Sequence, residues 1–262
     1  MITMDGHYRF EDFGFSCELG NEDPLTANFQ RKTLTIPGRA GVWDFGVEIG
    51  EKPASFPLKT VERIPLIMQR NFTALTDFLM DPYGQPRNIK VIRDYAPDRY
   101  YMMKLAQSLN PERLMDEGIL VLPFIASDPY SYHTVSTEEI TIDSETSLMS
   151  EVLLGSEYVF NVTSAKTLQV HNFSHYNIVP KIESKGSFTS LTLSANGKSF
   201  SFGAQTNKTI EVSEFDTKIN GVSSLSVMTG NPLELKSGFN DVVVTGADIN
   251  ATIKFKFKPR YQ

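Results

Sequence analysis

Apolar and polar residues alternate over most of the second half of the chain, and this period of two restricts the fold more than any other feature. In the clearest run, one face of a strand would carry Ile249, Ala251, Ile253, Phe255 and Phe257. Earlier, Asn196-Gly197 separates two alternating runs. Asn-Gly favours the tight turn of a β-hairpin, because both turn residues take positive φ. Short strands between such turns predict an antiparallel β-sandwich.

The same alternation supports two finer expectations. Ile210 with Val212, and Leu225 with Val227, would mark further strands. The lysines that alternate with the last apolar run would lie in solvent and protect a strand edge from pairing with other chains. These lysines are Lys254, Lys256 and Lys258.

The first half mixes strands with one helix. In residues 69–80, Phe72, Leu75, Phe78 and Leu79 form one apolar stripe at helical spacing. Asp81-Pro82 would end this helix, because proline cannot continue its hydrogen-bond ladder. Asn110-Pro111 predicts a short helical turn, with a capping residue before proline. Strands are predicted at residues 58–66, 87–93, 99–106 and 118–126.

Composition changes near residue 133, which predicts two domains, 1–133 and 134–262. The first part holds 11 of the 14 prolines and 9 of the 10 arginines. The second part holds 32 serines and threonines, whereas the first holds 12. A chain of 262 residues suits two domains, since domains cluster near ~100–150 residues. The junction, residues 132–146, is polar and acidic, which is typical of a solvated linker.

Charge and hydropathy argue against two classes of partner. The chain has 25 Lys+Arg against 31 Asp+Glu, a net charge of −6, whereas nucleic acids and anionic membranes attract clustered positive charge. The longest apolar run, residues 119–126, is far shorter than the roughly 18 residues of a spanning helix. Asp5, Arg9 and Glu11 interrupt the stretch where a signal peptide would be apolar. We therefore expect no nucleic-acid binding, no membrane insertion and no secretory signal.

No catalytic or metal-binding pattern stands out. The single cysteine, Cys17, excludes an internal disulfide and a multi-cysteine metal site. His171 and His175 have the spacing of a helical metal pair, but their context is strand and turn, which favours a solvent-facing pair. Asn196-Gly197-Lys198-Ser199 resembles the end of a phosphate-binding loop, yet Thr192 stands where that motif needs glycine. We expect no catalytic residues, no metal and no cofactor.

Several patterns in the first half resemble one protein family. Asp12-Phe13-Gly14-Phe15 is similar to its opening motif, and Ile36-Pro37-Gly38-Arg39-Ala40-Gly41 to a second stretch. Asp128-Pro129-Tyr130 is similar to the signature that closes its amino-terminal domain. The family is that of the distal tail proteins (Dit) of long-tailed, non-contractile bacteriophages and related prophages.

The second half resembles the same family. Asn172 and Pro180 loosely fit its Asn-x-Gly-x(4)-Pro pattern, with Ser174 in place of the glycine. Gly238-Phe239-Asn240 with the following strand and Gly246 resembles a late family motif, and Lys258-Pro259-Arg260-Tyr261 its basic, aromatic terminus. The resemblance therefore extends over essentially the whole chain.

The resemblance implies a mainly β fold with one α-helix in the first domain. A β-sandwich or barrel-like domain would form the ring, and a galectin-like β-sandwich would follow. It also implies a hexameric ring of this protein at the virion tail tip, assembled in the cytoplasm of the bacterial host. Its partners would be the tail tube protein, a tail-associated hub or fibre protein and, in many phages, a receptor-binding or baseplate protein.

Rigid, proline- and arginine-rich loops at residues 37–41 and 53–57 would shape the contacts between subunits. The candidate interface residues are Pro37, Gly38, Arg39, Gly41 and Trp43. For Trp43, the only tryptophan, core or interface packing is favoured over sugar stacking.

Two alternatives belong to other function classes. The galectin-like domain could bind carbohydrate in host recognition, although residues 134–262 contain no tryptophan on which a sugar could stack. A cell-wall hydrolase would need an acid/base pair, and the nearest candidates, Asp94 and Asp98, flank a turn-like Tyr95-Ala96-Pro97. Binding of glycans by residues 134–262 would support the first alternative. Clearing of host cell walls would support the second.

Overall fold

In a computed structural model, which describes residues 1–137 and 157–262, the chain consists mainly of β-strands with one α-helix. The prediction of a mainly β fold with a single helix is thereby confirmed. Short 3₁₀ helices cover Phe10–Phe13 and Leu225–Val227, and the α-helix, α1, covers Pro65–Leu79. The strands are β1 (Ile2–Met4), β2 (Ser16–Cys17), β3 (Phe29–Thr35), β4 (Val42–Ile49), β5 (Lys52–Val61), β6 (Ile89–Arg93), β7 (Ala96–Leu105), β8 (Glu112–Arg113), β9 (Glu117–Ala126), β10 (Ser131–His133), β11 (Val159–Val162), β12 (Lys166–Asn172), β13 (Lys181–Phe188), β14 (Ser190–Ala195), β15 (Lys198–Phe202), β16 (Gln205–Val212), β17 (Thr217–Ile219), β18 (Val222–Ser223), β19 (Met228–Gly230), β20 (Gly238–Ala247), β21 (Asn250–Lys256) and β22 (Arg260–Tyr261).

The chain divides into two compact units. The first unit comprises Met1–Ser131 with Gln262, and the second comprises Tyr132–Tyr261. The acidic residues of the expected linker, Glu138, Glu139, Asp143 and Glu145, lie outside the described residues.

The first unit packs α1 against a sheet in the order β1-β6-β7-β9-β5-β2. The helix buries Met68, Phe72, Leu75 and Leu79, an apolar stripe at helical spacing. Phe78, which was expected in this stripe, is only partly buried and packs against Phe13, with ring centroids 5.0 Å apart.

Two expectations for the first unit are wrong in detail. The strand expected at 58–66 ends at Val61, and the helix already begins at Pro65, because proline is well placed in the first turn of a helix. Asn110-Pro111 does not start a helical turn; the chain there leads into β8, which pairs with β9.

The loop expected at residues 53–57 is instead part of β5. Pro53 and Pro57 lie opposite Ile125 and Val121 of β9. The amide of Ser55 points away from β9, to the carbonyl of Glu22. Since backbone orientation alternates along a strand, the nitrogens of both prolines also point away from β9, and its ladder loses no hydrogen bond.

The second unit contains two sheets, β11-β21-β13-β16-β17-β18 and β12-β20-β14-β15-β19, whose inward residues share one core. The hairpin predicted at Asn196-Gly197 is confirmed. Ala195 pairs with Lys198, and the two turn residues have φ of 51° and 80°. This two-residue turn matches the right-handed twist of the strands.

Two expectations for the second unit are wrong. Leu225 and Val227 belong to a 3₁₀ helix, not to a strand. β21 is not an edge strand, because it pairs with β11 on one side and β13 on the other. Its lysines therefore do not protect an edge; Lys256 instead forms an ion pair of 2.9 Å with Glu183 of β13.

Candidate functional site

The expected interface residues lie on a two-stranded ribbon formed by β3 and β4. These strands pair with each other and form a sheet of their own, separate from the main sheet of the first unit. The base of the ribbon closes where the Gly50 amide donates to the Asn28 carbonyl at 2.8 Å and the Asn28 amide to the Glu51 carbonyl at 3.0 Å. The ribbon therefore projects from the start of β5.

The tip of the ribbon is a turn that the sequence specifies locally. Pro37 and Gly38 occupy its two central positions, and the Arg39 amide donates to the Ile36 carbonyl at 3.2 Å. Gly38 has φ of 83°, as the second central residue of a type II turn requires, and proline suits the position before it. The Arg39 guanidinium then lies 4.3 Å from the centroid of the Trp43 ring, which is cation–π contact.

Two exposed ion pairs connect the strands of the ribbon. Arg31 donates to Asp44 at 2.8 Å, and Lys32 pairs with Glu48. The hydrogen bond from Arg31, together with one from the Gly46 amide, lowers the pKa of Asp44 below its usual value. A register shift between Arg31 and Thr33 adds local twist.

Both faces of the ribbon carry exposed apolar side chains. Residues opposite each other share a face: Phe29 lies opposite Ile49 on one face, and Leu34 opposite Trp43 on the other. Eight apolar residues are between 40 and 67% exposed: Phe29, Leu34, Ile36, Val42, Trp43, Phe45, Val47 and Ile49. An isolated two-stranded hairpin is at best marginally stable in water, and apolar patches of this kind mark interaction sites.

Trp43 is thus a surface residue and not a core residue. The sequence signal that was not recognised is the apolar residues on both sides of the tip, Phe29 and Leu34 before it and the alternating Phe45, Val47 and Ile49 after it. These residues extend the candidate site from a loop to the whole ribbon.

The first family motif has a structural role beside α1. The Asp12 carboxylate accepts a hydrogen bond from the Arg9 amide at 2.7 Å and so caps the 3₁₀ helix. Phe13 packs against Phe78 of α1. Gly14 ends the 3₁₀ helix with φ of 78°, and a Cβ at this position would lie 2.5 Å from the Asn71 side chain.

The closing motif forms a turn after β9. The Asp128 carboxylate accepts from the Tyr130 amide at 3.3 Å, an interaction typical of Asx turns. Pro129 and Tyr130 are partly buried. The motif residues therefore occupy three different elements, each with its own local geometry.

The histidines do not form a metal pair. The His171 ring stacks on Phe239 with centroids 4.3 Å apart, whereas His175 packs edge-on against Tyr261. Burial lowers the pKa of His171. Among residues 1–137 and 157–262, no group of three or more His, Cys, Asp or Glu side chains is arranged to hold a metal ion. No helix in the described part of the chain is long and apolar enough to span a membrane.

Comparison with known proteins gives a match at the level of structure. No protein-family model and no curated protein matches the sequence. The SPP1 Dit protein (gp 19.1), described as a paradigm of the hub adsorption apparatus in phages that infect Gram-positive bacteria, superposes with a TM-score of 0.73 at 14% identity. The match covers 98% of this chain and 99% of that one.

A chain of the phage P2 baseplate in its activated conformation with Ca matches more weakly, with a TM-score of 0.43 at 10% identity over 95% of this chain and 92% of that one. The resemblance to distal tail proteins that the motifs indicated is confirmed in the fold. Along nearly its whole length, this chain has the fold of the SPP1 Dit protein.

Proposed function

We propose that the protein is a structural component of a bacteriophage tail tip, a hub that joins the tail tube to the host-adsorption apparatus. The fold shared with SPP1 Dit, a hub protein by its description, supports this role. The observation that carries the proposal is the apolar ribbon, which exposes eight apolar side chains and so suits contact with another protein. The role needs no catalysis.

The protein acts as a ring of six copies. A ring repeats one heterologous contact until it closes, so each subunit needs two different complementary faces. The ribbon, with Pro37, Gly38, Arg39, Gly41 and Trp43 at or near its tip, supplies one of them. Its rigid turn and ion-paired strands limit the entropy lost on association.

The ring has three kinds of partner. The tail tube protein lies on one side and a tail-associated hub or fibre protein on the other, with a receptor-binding or baseplate protein at the periphery. Six copies at −6 each carry −36, which suits a conduit through which DNA passes without binding. The site of action is the virion tail tip.

The test is the size of the purified full-length protein. We expect six-membered rings in electron micrographs and a matching mass by sedimentation at high concentration. Replacing Trp43 and Phe45 by serine removes exposed apolar area and the cation–π contact with Arg39. Neither residue belongs to the core, so the variant should stay folded and become monomeric. The matched control is Tyr83→Ser, another exposed aromatic residue of the first unit, which retains the rings. Monomers of the native chain at every concentration, with or without tube protein, would contradict the proposal.

A further inference from the structure

We infer that the ribbon of one copy packs against an apolar corner at the far end of β5 in the next copy. This corner consists of Val61, Ile64, Leu66, Leu114 and Met115. The inference rests on the proposed ring and names the second face that the ring requires.

Backbone pairing brings the corner together from two segments. Val61 at the end of β5 lies opposite Glu117 of β9. The Glu62 amide donates to the Asp116 carbonyl at 3.1 Å, and the Leu114 amide to the Glu117 carbonyl at 2.8 Å. The turn between β8 and β9 therefore lies beside the segment that enters α1.

The corner is exposed although its side chains are apolar. Its five residues are between 51 and 94% exposed. Ile64 occupies the N-cap position of α1, where residues with a side-chain acceptor are preferred. The first turn of α1 also contains no acidic residue, although acidic residues stabilise helix starts in water. The Ile64 amide donates to the Glu62 carboxylate at 3.1 Å, while the apolar side chains of Ile64 and Leu66 stay exposed at this end of the helix.

The positions of the two surfaces suit a ring. The ribbon leaves the unit next to Lys52, at the start of β5, and the corner lies at its end, Val61. A strand of ten residues separates them by about 30 Å at ~3.3 Å per residue. A contact between opposite ends of identical subunits runs head to tail, which is the heterologous arrangement that closes into rings.

The charges are complementary. Arg39 is the only charged residue between Ile36 and Trp43, so the ribbon tip is apolar with one cation. The corner carries Glu62 and Asp116 against Arg63, a net charge of −1. Arginine and large apolar side chains are enriched in the central part of protein interfaces, and the net negative charge of the corner would attract the Arg39 guanidinium. Leu19 and Leu25 are also exposed, but their segment pairs with β5 through Glu22 and Ser55, nearer the ribbon's own base.

Cross-linking of the full-length chain tests the contact. In a Cys17→Ser background, Ala40→Cys at the exposed ribbon tip, which keeps Trp43, is combined with Met115→Cys and treated with a short bismaleimide. We expect a ladder of covalent oligomers up to six copies, formed at least tenfold faster than in the control pair Ala40→Cys with Tyr83→Cys. A mixture of the two single variants, Ala40→Cys and Met115→Cys, should give dimers and no ladder.

The outcomes separate this inference from the proposed ring. If micrographs show rings but cross-linking is no faster than in the control pair, the apolar corner is not the contact surface, and the proposed ring still stands. The absence of both rings and cross-links overturns both proposals. Rapid formation of the covalent ladder without visible rings supports the contact between ribbon and corner, but it contradicts a closed ring of six copies.

Discussion

Gly186 illustrates how a single backbone position can determine whether two strands pair. It lies in β13 with φ of 151°, and an added Cβ would lie 2.2 Å from the Asn250 carbonyl oxygen. Gly186→Ala should therefore lower the free energy of unfolding by about 2–3 kcal/mol, through strain and forced separation of β13 from β21.

Urea titration of the full-length protein measures this change. The matched control is Gly203→Ala, because Gly203 lacks a positive φ and has open space around it; its effect should stay within about 0.5 kcal/mol. Equal effects of the two substitutions would show that crowding at Gly186 does not limit stability.

His171 makes the stability of the second unit depend on pH. Its Nδ1 is buried without a hydrogen-bond partner, and burial lowers its pKa from the ordinary 6.5. As pH falls through about 6.5, the unfolded chain takes up a proton that the folded chain resists. The stabilising contribution of the neutral, partly buried His171 side chain is therefore fully present above this pH and is lost as the pH falls below it.

His171→Phe should keep the ring contact with Phe239 and flatten this dependence. Urea titrations at pH 7.5 and pH 5.5 measure it: the native chain loses more stability between the two than the variant does. An unchanged slope in the variant would show that His171 does not cause the loss.

Residue-scale features are predictable from sequence when their cause is local. Asn196-Gly197 and Pro37-Gly38 specify their turns within four residues, and the first was predicted on that basis. Gly186 was not predicted, because the atoms that crowd it belong to Asn250 and Ala251, more than sixty residues later. Without its strand partner, it is an ordinary glycine.

At the scale of elements, Gly14 connects the first 3₁₀ helix with α1. Alanine at this position would keep the strained φ of 78° and would also collide with the Asn71 side chain, which donates to Thr60 at 3.2 Å. Gly14→Ala should cost about 2–4 kcal/mol, the sum of about 1–2 kcal/mol for left-handed strain and about 1–2 kcal/mol for displacement of Asn71.

Gly84→Ala is the matched control, because Gly84 has φ of 74° and nothing within 4 Å of an added Cβ. It isolates the strain, about 1–2 kcal/mol. Thermal and urea unfolding of both variants measure the difference. If Gly14→Ala were no more destabilising than Gly84→Ala, crowding against Asn71 would not contribute to the loss of stability.

The elements that the sequence predicted are those whose periodicity reflects burial on one side. The stripe of α1 and the alternation in β21 are of this kind. The ribbon was not recognised as an element, since Phe45, Val47 and Ile49 alternate as they would in a strand of a packed sheet. The edge position expected for β21 was wrong because its lysines face Glu183 of a neighbouring strand, and pairing between distant strands is not encoded in spacing.

At the scale of the whole molecule, the order of family motifs carried the fold assignment. The separate motifs occupy three elements, so no local pattern revealed a site. The apolar corner was invisible in the sequence, because Val61 and Met115 become neighbours only when β5 pairs with β9. Surfaces assembled in this way need the structure.

We expect the two units to have separate roles, with assembly confined to the first. In the described part of the chain, one core comprises 20 buried apolar residues, all before residue 127, and the other comprises 24, all after residue 157. Each core is therefore closed within its own stretch of chain, as expected of domains that fold alone. The ribbon and the apolar corner both lie in the first stretch.

Fragment 1–131 should accordingly form six-membered rings, and fragment 132–262 should remain a folded monomer. The cut falls before Tyr132 because the His133 amide donates to the Pro259 carbonyl at 2.9 Å, a contact that the second fragment must retain. Circular dichroism tests folding, and sedimentation with electron microscopy tests assembly. Trp43→Ser with Phe45→Ser in fragment 1–131 is the control and should abolish the rings without unfolding it. Rings formed only by fragment 132–262 would reverse the assignment, since that fragment contains neither surface.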